Sequence, residues 1–129
     1  MTKSNPPAEL LSQPPYERGL DMLAAGSPAE AVKAFRAAIA AGPENSQAQI
    51  DAHHGLIRAL RDTGQLEHSV AAALALTALT PADPLAHTAL SISLQAAGHM
   101  PQAEAAAARA RILEWKLQLQ FPHGEDSLP

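Results

Sequence analysis

Apolar residues recur with helical spacing in six stretches of this chain, and a glycine marks three of the breaks between them. Gly26, Gly64 and Gly98 each follow one amphipathic stretch and precede the next by one to three residues. A glycine in this place is typical of a helix C-terminus that leads through a short turn into a second, antiparallel helix. The pattern therefore predicts three helix hairpins, with six main helices and no strand.

The same glycines define a repeat. Gly64 and Gly98 are 98 − 64 = 34 residues apart, and Gly26 and Gly64 are 64 − 26 = 38 apart, which is the same period with an insertion of four. A period of about 34 residues is the length of a helix-turn-helix repeat. We expect the repeats to occupy about residues 13–45, 46–83 and 84–121, preceded by a flexible segment at 1–12 and followed by a flexible tail at 122–129.

Capping residues mark the starts of several helices. Ser27 and Ser46 each have a Glu or Gln three positions later, which is the spacing of a capping box. Asp83 stands directly before a proline, which is favoured in the first helical turn. These residues predict helices that begin just after positions 27, 46 and 83.

The order of residues after each glycine resembles the tetratricopeptide repeat family. In that family a Gly closes the first helix, and an Ala, a bulky residue, a small residue and a Pro follow at fixed positions. The resemblance implies an all-α fold of stacked αα-hairpins in a right-handed superhelix, here with an extended C-terminal helix because a tryptophan replaces the last proline. The three copies read Gly26, Ala31, Phe35, Ala38, Pro43; Gly64, Ser69, Ala73, Leu76, Pro81; and Gly98, Ala103, Ala107, Ala110, Trp115.

Composition and charge exclude several classes of function. The chain has no cysteine, so disulfides, a catalytic thiolate and Cys-based metal sites are excluded. Its formal net charge is −4 with no long stripe of Lys and Arg, which argues against a nucleic-acid partner. No apolar run approaches the roughly 18 residues of a membrane span, and the N-terminus lacks the apolar core of a signal peptide. We therefore expect a cytoplasmic protein without a membrane partner.

Catalytic and metal-binding patterns are weak. There is no glycine-rich phosphate loop or nucleophile elbow, and Ser91 and Ser93 lie on an apolar helix without a placed base, so we expect neither enzyme activity nor a cofactor. Six histidines raise the alternative of a metal- or cofactor-handling accessory protein that uses His54 and His87. His53 and His54 point about 100° apart on a helix, which favours structural histidines over a metal site.

The family resemblance implies a binding function. First helices of successive repeats would line a concave groove that receives a peptide or helix of another protein, and the chain would act as an adaptor, scaffold or accessory chaperone. Matched position by position, the groove residues are Tyr16, Leu20, Leu23, His54, Arg58, Arg61, Leu85, Thr88, Ile92 and Gln95.

A basic face lies within this predicted groove. His54, Arg58 and Arg61 are spaced i, i+4, i+7 and share one helical face. Because Arg offers a planar fork of donors, this face favours an acidic ligand, and the flanking leucines add apolar anchors. The alternative is a solvated face on which an arginine pairs with Asp51 or Asp62.

The last helix carries two apolar faces at about 100° per residue. One is expected to pack on the repeat, whereas the second has no following repeat to cover it. Three covers are open: Leu10 and Leu11, a partner protein, or a second copy. We predict a homodimer, because a tryptophan in an apolar strip is typical of interface centres. The packed face is Ala106, Ala110, Leu113, Leu117 and Phe121; the second face is Ile112, Trp115 and Leu119.

Overall fold

The structure, a computed structural model, describes residues 13–121. Within that range the chain forms six α-helices and no strand, which confirms the all-α prediction. The predictions for 1–12, with Leu10 and Leu11, and for 122–129 lie outside the described residues. The helices are α1 (Pro15–Ala24), α2 (Pro28–Ala41), α3 (Gln47–Asp62), α4 (Leu66–Leu79), α5 (Pro84–Ala96) and α6 (Met100–Gln120).

The helices fall into two compact units that meet in sequence after Gln65. In unit 1, α2 packs against both α1 and α3, and α1 also contacts α3. In unit 2, α5 packs against both α4 and α6. The division falls between the two helices of the second predicted repeat. The right-handed superhelix stays a prediction.

The three glycine turns share one set of backbone hydrogen bonds. Gly26, Gly64 and Gly98 have φ of +79°, +78° and +88°. In each turn the glycine amide donates to the carbonyl three residues earlier, and the next amide donates to the carbonyl five residues earlier, at 2.8–3.1 Å. This Schellman motif needs a residue in the left-handed region, which glycine adopts without steric cost. The prediction that each glycine ends a helix is confirmed.

Two of the three predicted N-caps form. The Ser46 hydroxyl accepts a hydrogen bond from the Gln49 amide at 3.1 Å, and the Asp83 carboxylate accepts one from the second amide after it at 2.9 Å. The Gln49 side chain accepts from the amide of Asn45 instead of Ser46. The prediction for Ser27 is wrong, since its side chain makes no capping bond. The Ser27 amide donates to the Met22 carbonyl in the preceding turn, and the ψ of Ser27 is 65°. At Ser46, where the cap forms, ψ is 157°.

The core of unit 1 is built around Phe35. Its side chain is completely buried, and its ring centroid lies 5.8 Å from that of Tyr16 on α1. A Cβ added to Gly19 on α1 would lie 2.7 Å from this ring, and one added to Gly55 on α3 would lie 2.5 Å from it. The Phe35 ring on α2 therefore lies directly against the backbones of both α1 and α3.

The core of unit 2 is built mainly from small residues and leucines. On α6 the buried residues are Ala103, Ala106, Ala110 and Leu113, which follow one helical face. The Ser91 hydroxyl on α5 donates to the Ala103 carbonyl at 2.8 Å and joins the two helices. Small side chains let the helix backbones approach closely, which is how a core with few aromatic residues reaches ordinary packing density.

Two serines in unit 2 are equally buried but differ in hydrogen bonding. Ser69 and Ser93 are both 0% exposed. The Ser69 hydroxyl donates to the Leu66 carbonyl at 2.7 Å, whereas the Ser93 hydroxyl has no partner among the described residues. A buried polar group without a partner costs about 1–3 kcal/mol.

Replacing Ser93 by alanine is therefore expected to stabilise the protein by about 1 kcal/mol, because it removes an unpaired hydroxyl from the core. Ser69→Ala is the matched control, and it should leave stability unchanged or lower it. Urea unfolding followed by circular dichroism measures both free energies of unfolding. If the two substitutions had equal effects, the difference in hydrogen bonding would not govern these sites.

Candidate functional site

The predicted groove residues divide between the two units: those of α1 and α3 lie in unit 1, and those of α5 lie in unit 2. On α1, Leu20 is 42% exposed, and Leu23 is partly buried. Tyr16 is partly buried by its contact with Phe35. Burial raises the pKa of the Tyr16 hydroxyl, and the Asp51 carboxylate on α3 raises it further. Tyr16 therefore contributes to packing between α1 and α2 as well as to the surface.

The basic face on α3 is present but partly paired. The Arg58 Nε atom lies 3.8 Å from Asp62 Oδ2, with both side chains largely exposed. An exposed ion pair contributes little, about 0–1 kcal/mol, so a ligand carboxylate can displace Asp62 at low cost. Arg61 and His54 are partly buried. The pairing predicted for a solvated face is therefore seen for Arg58.

His53 differs from its neighbour His54. Burial lowers the pKa of the His53 imidazole, and the neighbouring His54 lowers it further. Its Nδ1 atom is buried and has no hydrogen-bond partner within residues 13–121. The structural role of His53 stays a prediction.

Histidines do not converge on a metal site in the described part of the chain. No group of three His, Asp or Glu side chains there is placed to hold an ion. The His87 Nε2 atom lies 2.9 Å from the Pro81 carbonyl, to which it donates in the matching tautomer. His99 Nε2 lies 2.8 Å from Glu67 Oε2 and joins the start of α6 to α4. These two rings are thus engaged within unit 2.

The predicted residues on α5 form an exposed face. Leu85 is 64% exposed and Ile92 is 44% exposed, and Thr88 and Gln95 are exposed as well. Two of them, Thr88 and Ile92, also line a cavity of about 210 Å³ between α5 and α6. We call this cavity the α5–α6 groove; its lining is Thr88, Ser91 and Ile92 from α5 and Ala107, Ala110, Arg111 and Glu114 from α6.

The α6 side of this groove was not predicted. The sequence signal for it is the repeat itself. Gly98 follows Gly26 by 98 − 26 = 72 residues, and the two turns have the same hydrogen bonds, so residues 72 positions apart are equivalent in the two hairpins. Shifting the groove residues back by this interval places them on hairpin α1–α2. Their equivalents, in order, are Tyr16, Gly19, Leu20, Phe35, Ala38, Ile39 and Gly42.

In unit 1 part of this equivalent surface lies against α3. Gly55 lies against the Phe35 ring, and the Gln49 side-chain amide donates to the Ile39 carbonyl at 3.1 Å. Two of the seven equivalent positions, Phe35 and Ile39, thus contact α3, and the Asp51 carboxylate of the same helix also raises the pKa of the Tyr16 hydroxyl. The α5–α6 groove therefore has the position of a surface that binds a helix elsewhere in the same chain.

The C-terminal half of α6 departs from the predicted packing. Ala106, Ala110 and Leu113 are buried as expected, but Leu117 is 39% exposed and Phe121 is 64% exposed. The prediction for these last two residues is wrong because α5 has 13 residues and α6 has 21, so the end of α6 extends past its partner.

The predicted second face of α6 is exposed. Ile112 is 46% exposed, Trp115 60% and Leu119 63%. This agrees with the expectation that no other helix among the described residues covers this face.

None of the helices within residues 13–121 is long and apolar enough to cross a bilayer.

Comparison with known proteins adds no further assignment to these surfaces. The resemblance to tetratricopeptide repeats therefore depends on the repeated residues and the three matching turns. No protein-family model matches the chain, and no curated protein matches it in sequence.

Proposed function

We propose that this chain is a tetratricopeptide-like repeat protein that acts as an interaction module, an adaptor or scaffold, and binds a helix of a partner protein in the α5–α6 groove. The observation that carries the proposal is the equivalence between this groove and the surface that α3 contacts in unit 1. The repeated Schellman turns support the same hairpin geometry at both places. The concave groove along several hairpins is implied by the resemblance, and the cytoplasmic location is the expectation drawn from the sequence.

The groove differs from its equivalent in one way that defines the ligand. Ala107 stands where the first hairpin has Phe35, so the volume of an aromatic ring is missing from the groove. The groove is open to solvent and has a volume of about 210 Å³, which leaves room for such a side chain from a bound helix. The partner helix therefore carries a Leu, Phe or similar side chain at the position where α3 has Gly55.

Polar residues at the groove edge set the orientation of the ligand. Arg111 and Glu114 lie on the α6 side, and Thr88 lies on the α5 side next to the apolar Ile92. A helix with an acidic residue near Arg111 and a basic residue near Glu114 would satisfy both charges. The exposed face of Leu85 and Gln95 extends the contact along α5.

A peptide derived from α3 tests this proposal. A stapled, fluorescently labelled peptide of residues 46–63 with Gly55→Phe is titrated into the full-length protein and followed by fluorescence anisotropy. Saturable binding is expected, and Ala107→Glu should weaken it by at least about tenfold because a carboxylate would be buried against the aromatic ring.

The matched control is Ala75→Glu, which places the same charge on an exposed alanine of α4 outside the groove. It should leave the affinity unchanged. A Gly55→Phe peptide that fails to bind, or that loses affinity equally with Ala75→Glu, would contradict the proposed function. Circular dichroism confirms that both variants keep their helix content.

A further inference from the structure

A second apolar row follows α6 on the side away from α5. Its members are spaced alternately three and four residues apart, which averages the repeat of about 3.5 residues found in helices that pair as coiled coils. We call this row the outer strip. It consists of Ala105, Ala108, Ile112, Trp115 and Leu119.

The outer strip is not part of the core of unit 2. Its three large side chains are 46–63% exposed, whereas Ala106, Ala110 and Leu113 on the opposite side are at most 7% exposed. Trp115 lies near the middle of the exposed part. Tryptophan is among the residue types that contribute most to binding energy at protein interfaces, so an exposed one within an apolar row indicates a contact surface.

The charges beside the outer strip are mainly positive. Arg109 and Lys116 follow one edge, and Arg111 follows the other edge together with Glu104 and Gln118. Among residues 13–121, none of these three cations forms an ion pair. Three cations against one carboxylate contrast with the net charge of −4 of the whole chain.

These edge charges favour an acidic partner over a second copy as the cover. In a parallel pair of α6 helices, Arg111 of one copy would face Lys116 of the other, while Glu104 would face Arg109, so repulsive and attractive pairs offset each other. In an antiparallel pair centred near Ile112, Arg109 would face Lys116, and Arg111 would face its own equivalent, so the like charges destabilise the pair. A second copy therefore gains no net charge pairing, whereas an acidic helix pairs with all three cations.

We infer that the outer strip binds an amphipathic α-helix of a partner protein that presents an apolar row with the same spacing and carries Asp or Glu at both edges. The partner's acidic residues pair with Arg109, Arg111 and Lys116, and its apolar row covers Ile112, Trp115 and Leu119. The apolar row of this surface is not part of the α5–α6 groove, and only Arg111 borders both. The test therefore changes Arg109 and Lys116, which do not line the groove, so the inference is tested independently of the proposed function.

Trp115 is the single tryptophan of the chain, so its emission reports directly on this surface. The probes are two tryptophan-free helical peptides of three heptads, each with Leu in the apolar row, one with Glu and the other with Lys at both edges. Titration of the Glu peptide into the full-length protein should shift Trp115 emission to shorter wavelength with saturation. The Lys peptide should bind at least about tenfold more weakly than the Glu peptide. Added salt should weaken the binding of the Glu peptide.

Three variants complete the test. The double variant Arg109→Glu and Lys116→Glu should reverse the preference between the two peptides, because it reverses the charge of one edge. Both positions are exposed, so the fold does not depend on them. Ile112→Glu should abolish the emission shift, whereas Leu74→Glu, an equally exposed apolar residue on α4, should leave it unchanged. Circular dichroism checks that each variant is folded.

Two results would overturn the inference. The first is equal binding of both peptides, or none, with the folded full-length protein. The second is a blue-shifted Trp115 emission without peptide, together with a dimer mass in light scattering that Trp115→Glu reduces to a monomer. That second result would assign the outer strip to self-association.

Discussion

Replacing Phe35 by alanine is expected to lower the free energy of unfolding by about 3–5 kcal/mol, the largest effect of any single substitution considered for this chain. The ring is completely buried and lies against the backbones of α1 and α3. Gly19 and Gly55 have no side chains that could move into the space left by the ring. The cavity therefore stays open, and all three helices of unit 1 lose a shared contact. Urea unfolding followed by circular dichroism measures the change.

The chain contains a matched control for this substitution, because it has only one other phenylalanine. Phe121 follows the end of α6 and is 64% exposed. Phe121→Ala should change stability by no more than about 0.5 kcal/mol, as is usual for an exposed position. Similar losses from both substitutions would show that Phe35 does not organise unit 1.

The second large effect is expected at Gly55, where alanine should destabilise the protein by about 1–3 kcal/mol. Alanine favours a helix over glycine by about 1 kcal/mol, so helix propensity alone predicts the opposite sign. The added Cβ would lie 2.5 Å from the Phe35 ring, which is closer than van der Waals contact permits. The ring is completely buried, so it can move only by disturbing its neighbours.

A double-mutant cycle identifies the cause. When Phe35 is first replaced by leucine, the added methyl group of Gly55→Ala meets a smaller side chain, and its cost should shrink or change sign. The coupling is read from the free energies of unfolding of the two single variants and the double variant. Additive effects within about 0.5 kcal/mol would exclude the ring contact as the reason.

The sequence predicted those parts of the fold that depend on local backbone chemistry. Gly26, Gly64 and Gly98 were recognisable because a Schellman turn needs a positive φ, which few residues other than glycine adopt. Asp83 and Ser46 were recognisable because a capping side chain bonds to amides two or three residues away. Such signals lie within a few residues of each other, so one sequence contains the whole interaction.

The features that were missed depend on contacts distant in the chain or on neighbouring backbone geometry. Nothing near Gly55 indicates that a ring twenty residues earlier would lie against it. Ser27 has the residues of a cap, but the preceding turn fixes its ψ. Leu117 continues the apolar period of α6, yet α5 is too short to cover it. The α5–α6 groove likewise depends on contacts between distant residues, since its equivalence to a helix-binding surface follows from the contacts of α3 in unit 1.

The unequal lengths of α5 and α6 divide the last helix into two parts of different stability. Between Ala103 and Leu113 every third or fourth residue of α6 is buried, whereas from 114 to 120 every residue is exposed although the backbone stays helical. A helical segment this short is marginal in water without tertiary contacts. Amide hydrogens in these last two turns therefore exchange with solvent through local opening, while those between Ala103 and Leu113 exchange only when unit 2 itself unfolds.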